Sequence, residues 1–338
     1  MKYKYSAIIP ARNGELFLDK AIRSVLNQTH PFDQIIVVDD DSTDLTAKIA
    51  CSVEWDGQIE YFFNAPSSGF VDAWNRSARL ATGDYISILH QDDLLSPNFL
   101  ERMDAALQLY PQVSHLYSSC YYINTKGNIT GHPPKPWSFE PVLYSGKAYA
   151  QRYLNGMLNN RHIHRCPGVL TRRELLLGLC QYRKEAGHIA DDDFFLRVGA
   201  FTDVIGLSAP LASYRNHVNS ETGKLNDLTM RLARDYVFLS NYHRGKFSLL
   251  EQSGLRIIDH LTSRFINLLL FQGLAIKRND WVIEALRLQL VYNEIAPEIF
   301  TRNIPWWGKP LWFLPASLAR VYAHMIKIAH KVKTWRRY

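Results

Sequence analysis

Cysteine is scarce: the 338 residues contain four, Cys51, Cys120, Cys166 and Cys180, with no C-x-x-C spacing. Neither a zinc knuckle nor a disulfide framework is expected, and a reducing compartment fits. Glycine-rich phosphate loops are also missing. Neither G-x-x-x-x-G-K-[ST] nor G-x-G-x-x-G occurs, which removes support for a P-loop or a dinucleotide site. Long apolar runs are absent too. The best candidate, 265–276, is broken by Asn267 and Gln272 and falls short of the roughly 20 residues a membrane span needs. The apolar run at the N-terminus, before Arg12 and Asn13, is too short for a signal peptide. A cytoplasmic chain without a transmembrane helix is therefore expected.

Acid is missing from one region only. Residues 301–338 carry Arg302, Lys309, Arg320, Lys327, Lys331, Lys333, Arg336 and Arg337 and no Asp or Glu. The formal net charge of +7 thus resides in the tail, and the first 300 residues are close to neutral. A basic tail on a neutral body, with no recognition motif beside it, argues against a nucleic-acid partner.

What is present is an alternation of two periodicities. Tyr5 to Ile9, Gln34 to Val38, Ile59 to Phe63 and Tyr85 to Leu89 are short apolar runs that read as strands. Between them, Leu16, Ala21, Ile22, Val25 and Leu26 form one helical stripe, and Val71, Trp74, Ala78, Leu80 and Ala81 another. Ser96 followed by Pro97 predicts a further helix start. The spacing predicts parallel βαβ units, hence an α/β body. From about Leu225 only helical patterns remain, at 228–242, 249–274 and 280–295.

Ligands of such sheets bind outside the carboxyl ends of the strands, and polar clusters follow three of them: Pro10 to Asn13, Asp39 to Asp44 and His90 to Asp93. Carboxylates repel a phosphate-bearing ligand unless a cation bridges them. Hard oxygen donors suit Mg²⁺ or Mn²⁺.

The stretches SAIIPARN (6–13), AIRSVLNQT (21–29), IIVVDDDSTDLTA (35–47), AWNRSARLATGDYISILHQDDLLSP (73–97) and IADDDFFLR (189–197) closely resemble the GT-A fold family 2 glycosyltransferases. The resemblance covers roughly residues 3 to 220. It implies a GT-A mixed sheet flanked by helices and followed by a C-terminal helical region. It also implies inverting transfer of a sugar from a nucleotide diphosphate to a hydroxyl of a glycan or lipid-linked acceptor, in bacterial surface polysaccharide synthesis. On this resemblance Pro10, Arg12, Asn13, Asp39 and Asp40 hold the donor nucleotide, with Asn75 and Gln91 in the same set. Asp41 stands where the family commonly has Gly, and Ser42 and Asp44 are expected to cap a helix. In His90-Gln91-Asp92-Asp93 a His replaces the first acid of the family's metal motif. Asp92 and Asp93, joined by His217 of the SYRNHVNSET segment, are then the expected ligands of Mn²⁺ or Mg²⁺. That leaves His90 for a hydrogen bond to ribose or phosphate. Register with Arg197 makes Asp191 the catalytic base, with Asp193 the other candidate and Asp192 a cap for a helix starting near Phe194. His164 and Arg165 fall on the acceptor side.

These readings divide the chain at 1–222, 223–300 and 301–338. Trp306, Trp307 and Trp312 beside a Lys/Arg-bearing amphipathic helix predict that 305–338 attaches to an anionic membrane surface, at the inner face of the cell membrane. Two rivals stand. A sugar nucleotidyltransferase needs a Gly-rich basic loop after the first strand, which PARNGELF lacks. A non-catalytic membrane-associated scaffold is prompted by His90.

Overall fold

The structure is a computed structural model that describes residues 3–159, 161–218, 220, 227–245, 250 and 252–295. The basic segment 305–338, with its tryptophan cluster, lies outside the described residues. The described residues form two compact units: those up to 184 with 190–220, and 185–189 with those from 227 to 295.

In the first unit β1 (Tyr5–Ala11) leads to α1 (Leu18–Leu26), and β2 (Gln34–Asp40) to α2 (Thr46–Ala50). β3 (Glu60–Asn64) leads to α3 (Phe70–Leu80), and β4 (Tyr85–Ile88) runs through the short β5 (Leu94–Leu95) to α4 (Phe99–Leu109). There follow β6 (His115–Ile123), β7 (Ile129–Gly131), β8 (Val142–Tyr144), α5 (Gly146–Leu158), β9 (Val169–Arg172), α6 (Ala190–Val198) and β10 (Val204–Arg215). The sheet order is β3-β2-β1-β4-β9-β6-β10-β5, with β7 on β6 and β8 on β10. β1 is parallel to β2 and β4, β2 to β3, and β6 to β10, whereas β9 is antiparallel to both β4 and β6. Strands β1, β2, β3, β4, β6 and β10 therefore all end along one edge of a mixed sheet.

β1 is buried along its whole length, which is why its sequence is an almost unbroken apolar run rather than an alternation. α1 places Leu18, Ala21, Ile22 and Val25 on its buried face, one helical stripe packed in a core with Phe99, Leu100, Met103 and Leu107 of α4. Two helix starts differ from expectation. α4 begins at Phe99, because Pro97 and Asn98 form a turn in which the Phe99 amide bonds the Ser96 carbonyl. α6 begins at Ala190, so Asp191, Asp192 and Asp193 occupy its first turn instead of preceding it, where negative charge suits the helix dipole.

The second unit contains α7 (Leu228–Gly245), α8 (Gln252–Ala275) and α9 (Asn279–Ile295). Its core joins Ala233, Val237, Ile266, Leu269, Trp281, Ala285, Leu288 and Tyr292. The His188 amide donates to Asp235 on α7 at 2.9 Å, and Gly187 makes room: a Cβ there would approach the Asp235 carboxylate to 2.3 Å. Among the described residues no helix is long and apolar enough to cross a membrane.

Candidate active site

At the ends of β1, β2 and β3 the acids are tied to their own chain. Asp39 is fully buried; its Oδ1 accepts the Ser42 amide and its Oδ2 the Tyr61 hydroxyl, both at 2.9 Å. Asp40 accepts from Asn64 Nδ2, from Ser67 Oγ at 2.6 Å and from the Ser68 amide at 3.2 Å. Burial pushes the Asp40 carboxyl up, but the bonds from Ser67, Asn64 and Ser68 outweigh it and hold the group below its ordinary range. Asn13 reaches across from the β1 end: its amide donates to Ser42 Oγ and its Oδ1 accepts the Thr43 amide. Ser42 therefore holds this loop rather than capping α2, while Asp44 does act at the helix start, accepting the Thr46 amide at 2.9 Å. Asp41 has φ 67°, a left-handed conformation that favours glycine, which accounts for a family preference for Gly there. Pro10 lies within buried β1, and Arg12 is exposed beyond it.

Two residues assigned to the donor nucleotide have their amides engaged by the protein. Gln91 accepts the Arg12 amide at 2.7 Å and donates to the Arg12 carbonyl at 3.1 Å. Asn75 donates to the Tyr182 carbonyl at 2.8 Å and accepts the Tyr182 amide at 3.0 Å. Each side chain is a clamp between loops, so neither amide is available to the nucleotide in this arrangement.

The turn after β4 is built differently. His90, Asp92 and Asp93 bring ligand atoms within 4.8 Å of one another. His90 stacks on Trp74 of α3, centroids 4.9 Å apart and planes at 18°, and Trp74 meets Phe70 and Tyr182 edge-on. Asp93 is buried; its Oδ1 accepts the Arg215 amide at 2.8 Å, but its Oδ2 has no hydrogen-bond partner among the described residues. Burial and the charge of Asp92 push the Asp93 carboxyl well up. For Asp92, burial works upward too, but the 2.8 Å bond to His217 Nε2, the first of the opposing causes, brings it below its ordinary range. Burial lowers His90, against the fields of Asp92 and Asp191, favouring the neutral imidazole. Two carboxylates, a neutral imidazole and an unpartnered buried oxygen fit a divalent cation. The sequence assignment is revised in one respect: His90 belongs to the three-residue group, and His217 reaches it through Asp92. The buried Arg215 braces the turn, donating through Nε to the Asp92 carbonyl at 2.7 Å and through Nη1 to the Asn124 carbonyl at 2.7 Å.

The three acids of α6 have three environments. Asp193 is fully buried and paired with both Arg183 and Arg197, which ties it into the framework and takes it out of contention as a base. Asp192 accepts the Tyr153 hydroxyl at 2.6 Å; burial, then the charge of Asp191, pushes it up to about 7. Asp191 is half-buried, and its one hydrogen-bond partner among the described residues is the Cys166 thiol at 3.5 Å. Burial and Asp191 raise that thiol well above its ordinary value, so it remains a donor. His164 is a buried core residue, bonded to Tyr149 at 2.8 Å and packed on Phe195. Arg165 lies over the Tyr214 ring at 5.4 Å.

Trp74, Cys166 and Arg183 are the contributors that sequence reading missed. Trp74 sits at helical spacing with Val71 and Ala78 and so reads as core, Cys166 directly follows His164 and Arg165 in a stretch read for those two, and Arg183 lies in no motif.

The sequence model described as glycosyl transferase family 2 matches residues 6–176, a little over half of the chain. An uncharacterized glycosyltransferase of Haemophilus influenzae is 26% identical over 226 residues, 65% of this chain and 68% of its own. The Escherichia coli UDP-Glc:alpha-D-GlcNAc-diphosphoundecaprenol beta-1,3-glucosyltransferase WfgD is 33% identical over 127 residues, 38% of this chain and 49% of that enzyme. The chain thus spans only about half the length of WfgD. The crystal structure of S. aureus TarS 1–349 in complex with UDP superposes with a TM-score of 0.65 at 17% identity, covering 95% of this chain and 88% of that one, which establishes the GT-A fold.

Proposed function

The chain belongs to glycosyl transferase family 2, and on that premise we propose that it moves a hexose from a UDP-sugar to a hydroxyl of a lipid-linked, diphosphate-bearing glycan, inverting the anomeric centre. The observation that carries this is Asp191: among the described residues it has no cationic partner, and Cys166, which donates to it, lines one small pocket together with His90. Asp191 takes the acceptor proton as the hydroxyl oxygen bonds the anomeric carbon and the bond to the donor diphosphate breaks. Cys166 orients the Asp191 carboxylate, and Asp39 and Asp40 hold the loops on which base and ribose rest. Asp92 and Asp93, with His90, would hold Mn²⁺ or Mg²⁺, which supplies the charge that stabilises the leaving diphosphate. The donor class is supported by the UDP of TarS and the UDP-Glc of WfgD, and the acceptor class by the diphosphoundecaprenol substrate of WfgD.

We assign this chemistry to residues 1–222, with 223–300 as a helical subdomain. Residues 305–338 we assign to attachment at the inner membrane face, on their basic amphipathic pattern. The deciding experiment is sugar transfer to a lipid-diphosphate acceptor, with binding of UDP followed by thermal shift. Asp191→Asn should lower transfer on the order of 10²- to 10⁴-fold and preserve the UDP-dependent shift. Undiminished transfer by this variant would remove Asp191 as the base.

A further inference from the structure

We propose that the imidazole of His90 binds the divalent cation directly, beside Asp92 and Asp93, and that this nitrogen makes the centre prefer a first-row transition-metal ion to Mg²⁺. The inference rests on the metal-dependent reading above and concerns which ion this chain is built to hold.

Four observations support it. His90 Nδ1 faces Asp93 Oδ2 at 3.9 Å, too far for a hydrogen bond, yet donors about 2 Å from a shared ion sit about 3 to 4 Å apart. Asp93 Oδ2 is the oxygen left without a partner among the described residues, in a side chain only 1% exposed, so the pair encloses a position where a cation satisfies both atoms. The imidazole plane is fixed in advance by Trp74, whose neighbour Asn75 is clamped to Tyr182 by two hydrogen bonds. A ring held this way loses little freedom on binding an ion. Asp92, the third member, is itself oriented by His217, the outer support expected of a metal-binding carboxylate.

The consequence is selectivity. Mg²⁺ demands oxygen donors in near-ideal octahedral geometry and keeps its waters, whereas affinity for an imidazole-bearing site rises from Mn²⁺ toward Co²⁺ and Ni²⁺. A centre of one nitrogen and two carboxylates therefore takes Mn²⁺ or Co²⁺ ahead of Mg²⁺, and an acid at position 90 would narrow that preference.

The test is electron spin echo spectroscopy of Mn²⁺ bound to the full chain in the presence of UDP, with Mg²⁺ competition followed by the Mn²⁺ signal. The wild type should show nitrogen modulation that changes when its histidines carry ¹⁵N. His90→Ala should abolish the modulation and weaken Mn²⁺ on the order of tenfold, and His217→Gln should retain it. His90→Asp should make Mg²⁺ compete roughly tenfold better. Thermal melts establish that each variant is folded. Modulation lost only in His217→Gln, oxygen-only coordination, or an unchanged Mg²⁺ competition in His90→Asp would overturn the inference. Oxygen-only coordination in an enzyme that still transfers sugar sinks the nitrogen ligand alone, whereas absence of any Mn²⁺ signal sinks the metal-dependent reading with it.

Discussion

Asp39–Asp40 and Asp92–Asp93 are the same dipeptide at the same edge of one sheet, and their surroundings are opposite. Asp39 and Asp40 accept from Ser42, Tyr61, Asn64, Ser67 and Ser68, so their charge is answered by the chain itself and orders the loops after β2 and β3. Asp92 and Asp93 receive fewer donors, and one buried oxygen receives none among the described residues. A buried carboxylate without partners is costly, and a site that leaves it so is arranged for something that arrives from outside. The same division separates Asp193, held by two arginines, from Asp191, which faces a thiol.

If that division holds, the largest effect on folding comes from Asp193. Asp193→Ala leaves Arg197, 4% exposed, and Arg183 beside an empty position, and should cost about 3–5 kcal/mol in denaturant melts. Asp191→Asn should change stability little. Equal losses for the two would erase the distinction within α6.

The two dipeptides should next respond with opposite sign. Asp40→Ala strands the donors of Asn64, Ser67 and Ser68 and should cost about 1–3 kcal/mol. Asp93→Asn keeps an acceptor for the Arg215 amide and removes a charge that burial disfavours, so its melting temperature without metal should equal or exceed that of the wild type. The same variant should lose the stabilisation that Mn²⁺ confers on the wild type by binding the folded state. Destabilisation of metal-free Asp93→Asn would mean that the pair at the β4 turn is satisfied after all.

The contrast also explains what could be read from the sequence. Strand Tyr5–Ala11 was legible because burial on both faces makes it a short continuous apolar run, and the helix carrying Ile22 and Val25 because burial of one face imposes a helical period. The acid clusters were legible because strand ends in such sheets are where ligands bind. What the residue types could not show is who answers each charge. Gln91 and Asn75 look like ligand-binding amides until the Arg12 and Tyr182 backbones close on them. Arg183 meets Asp193 from a loop ten residues upstream. Trp74 has the spacing of a core residue, and only the packing of α3 against the β4 turn makes it the platform of His90.

Asp192 lies between the two classes: hydrogen-bonded to Tyr153, yet pushed up to about 7 by burial and by Asp191. Between roughly pH 4 and 7 the native carboxyl retains a proton that the unfolded chain has given up. Stability therefore falls as pH rises through that window, and the loss is complete above it. Asp192→Asn cannot ionise and still accepts from Tyr153. Its melting temperature should exceed that of the wild type by a few degrees at pH 8, with the advantage shrinking toward pH 5. A difference that does not vary with pH would place Asp192 with the satisfied acids.

The smallest effect is expected at Asp41, whose side chain makes, among the described residues, only a 3.3 Å contact with the Ser67 amide and whose backbone is left-handed at φ 67°. Asp41→Gly relieves the backbone, but it gives up that contact and adds freedom to the unfolded chain, so the net change should stay within about 1 kcal/mol. Asp41→Val keeps a side chain that the left-handed region rejects most strongly and should cost about 1–2 kcal/mol. A larger loss for Gly than for Val in denaturant melts would show that the carboxylate, not the backbone, is what this position requires, and would move Asp41 into the company of Asp39 and Asp40.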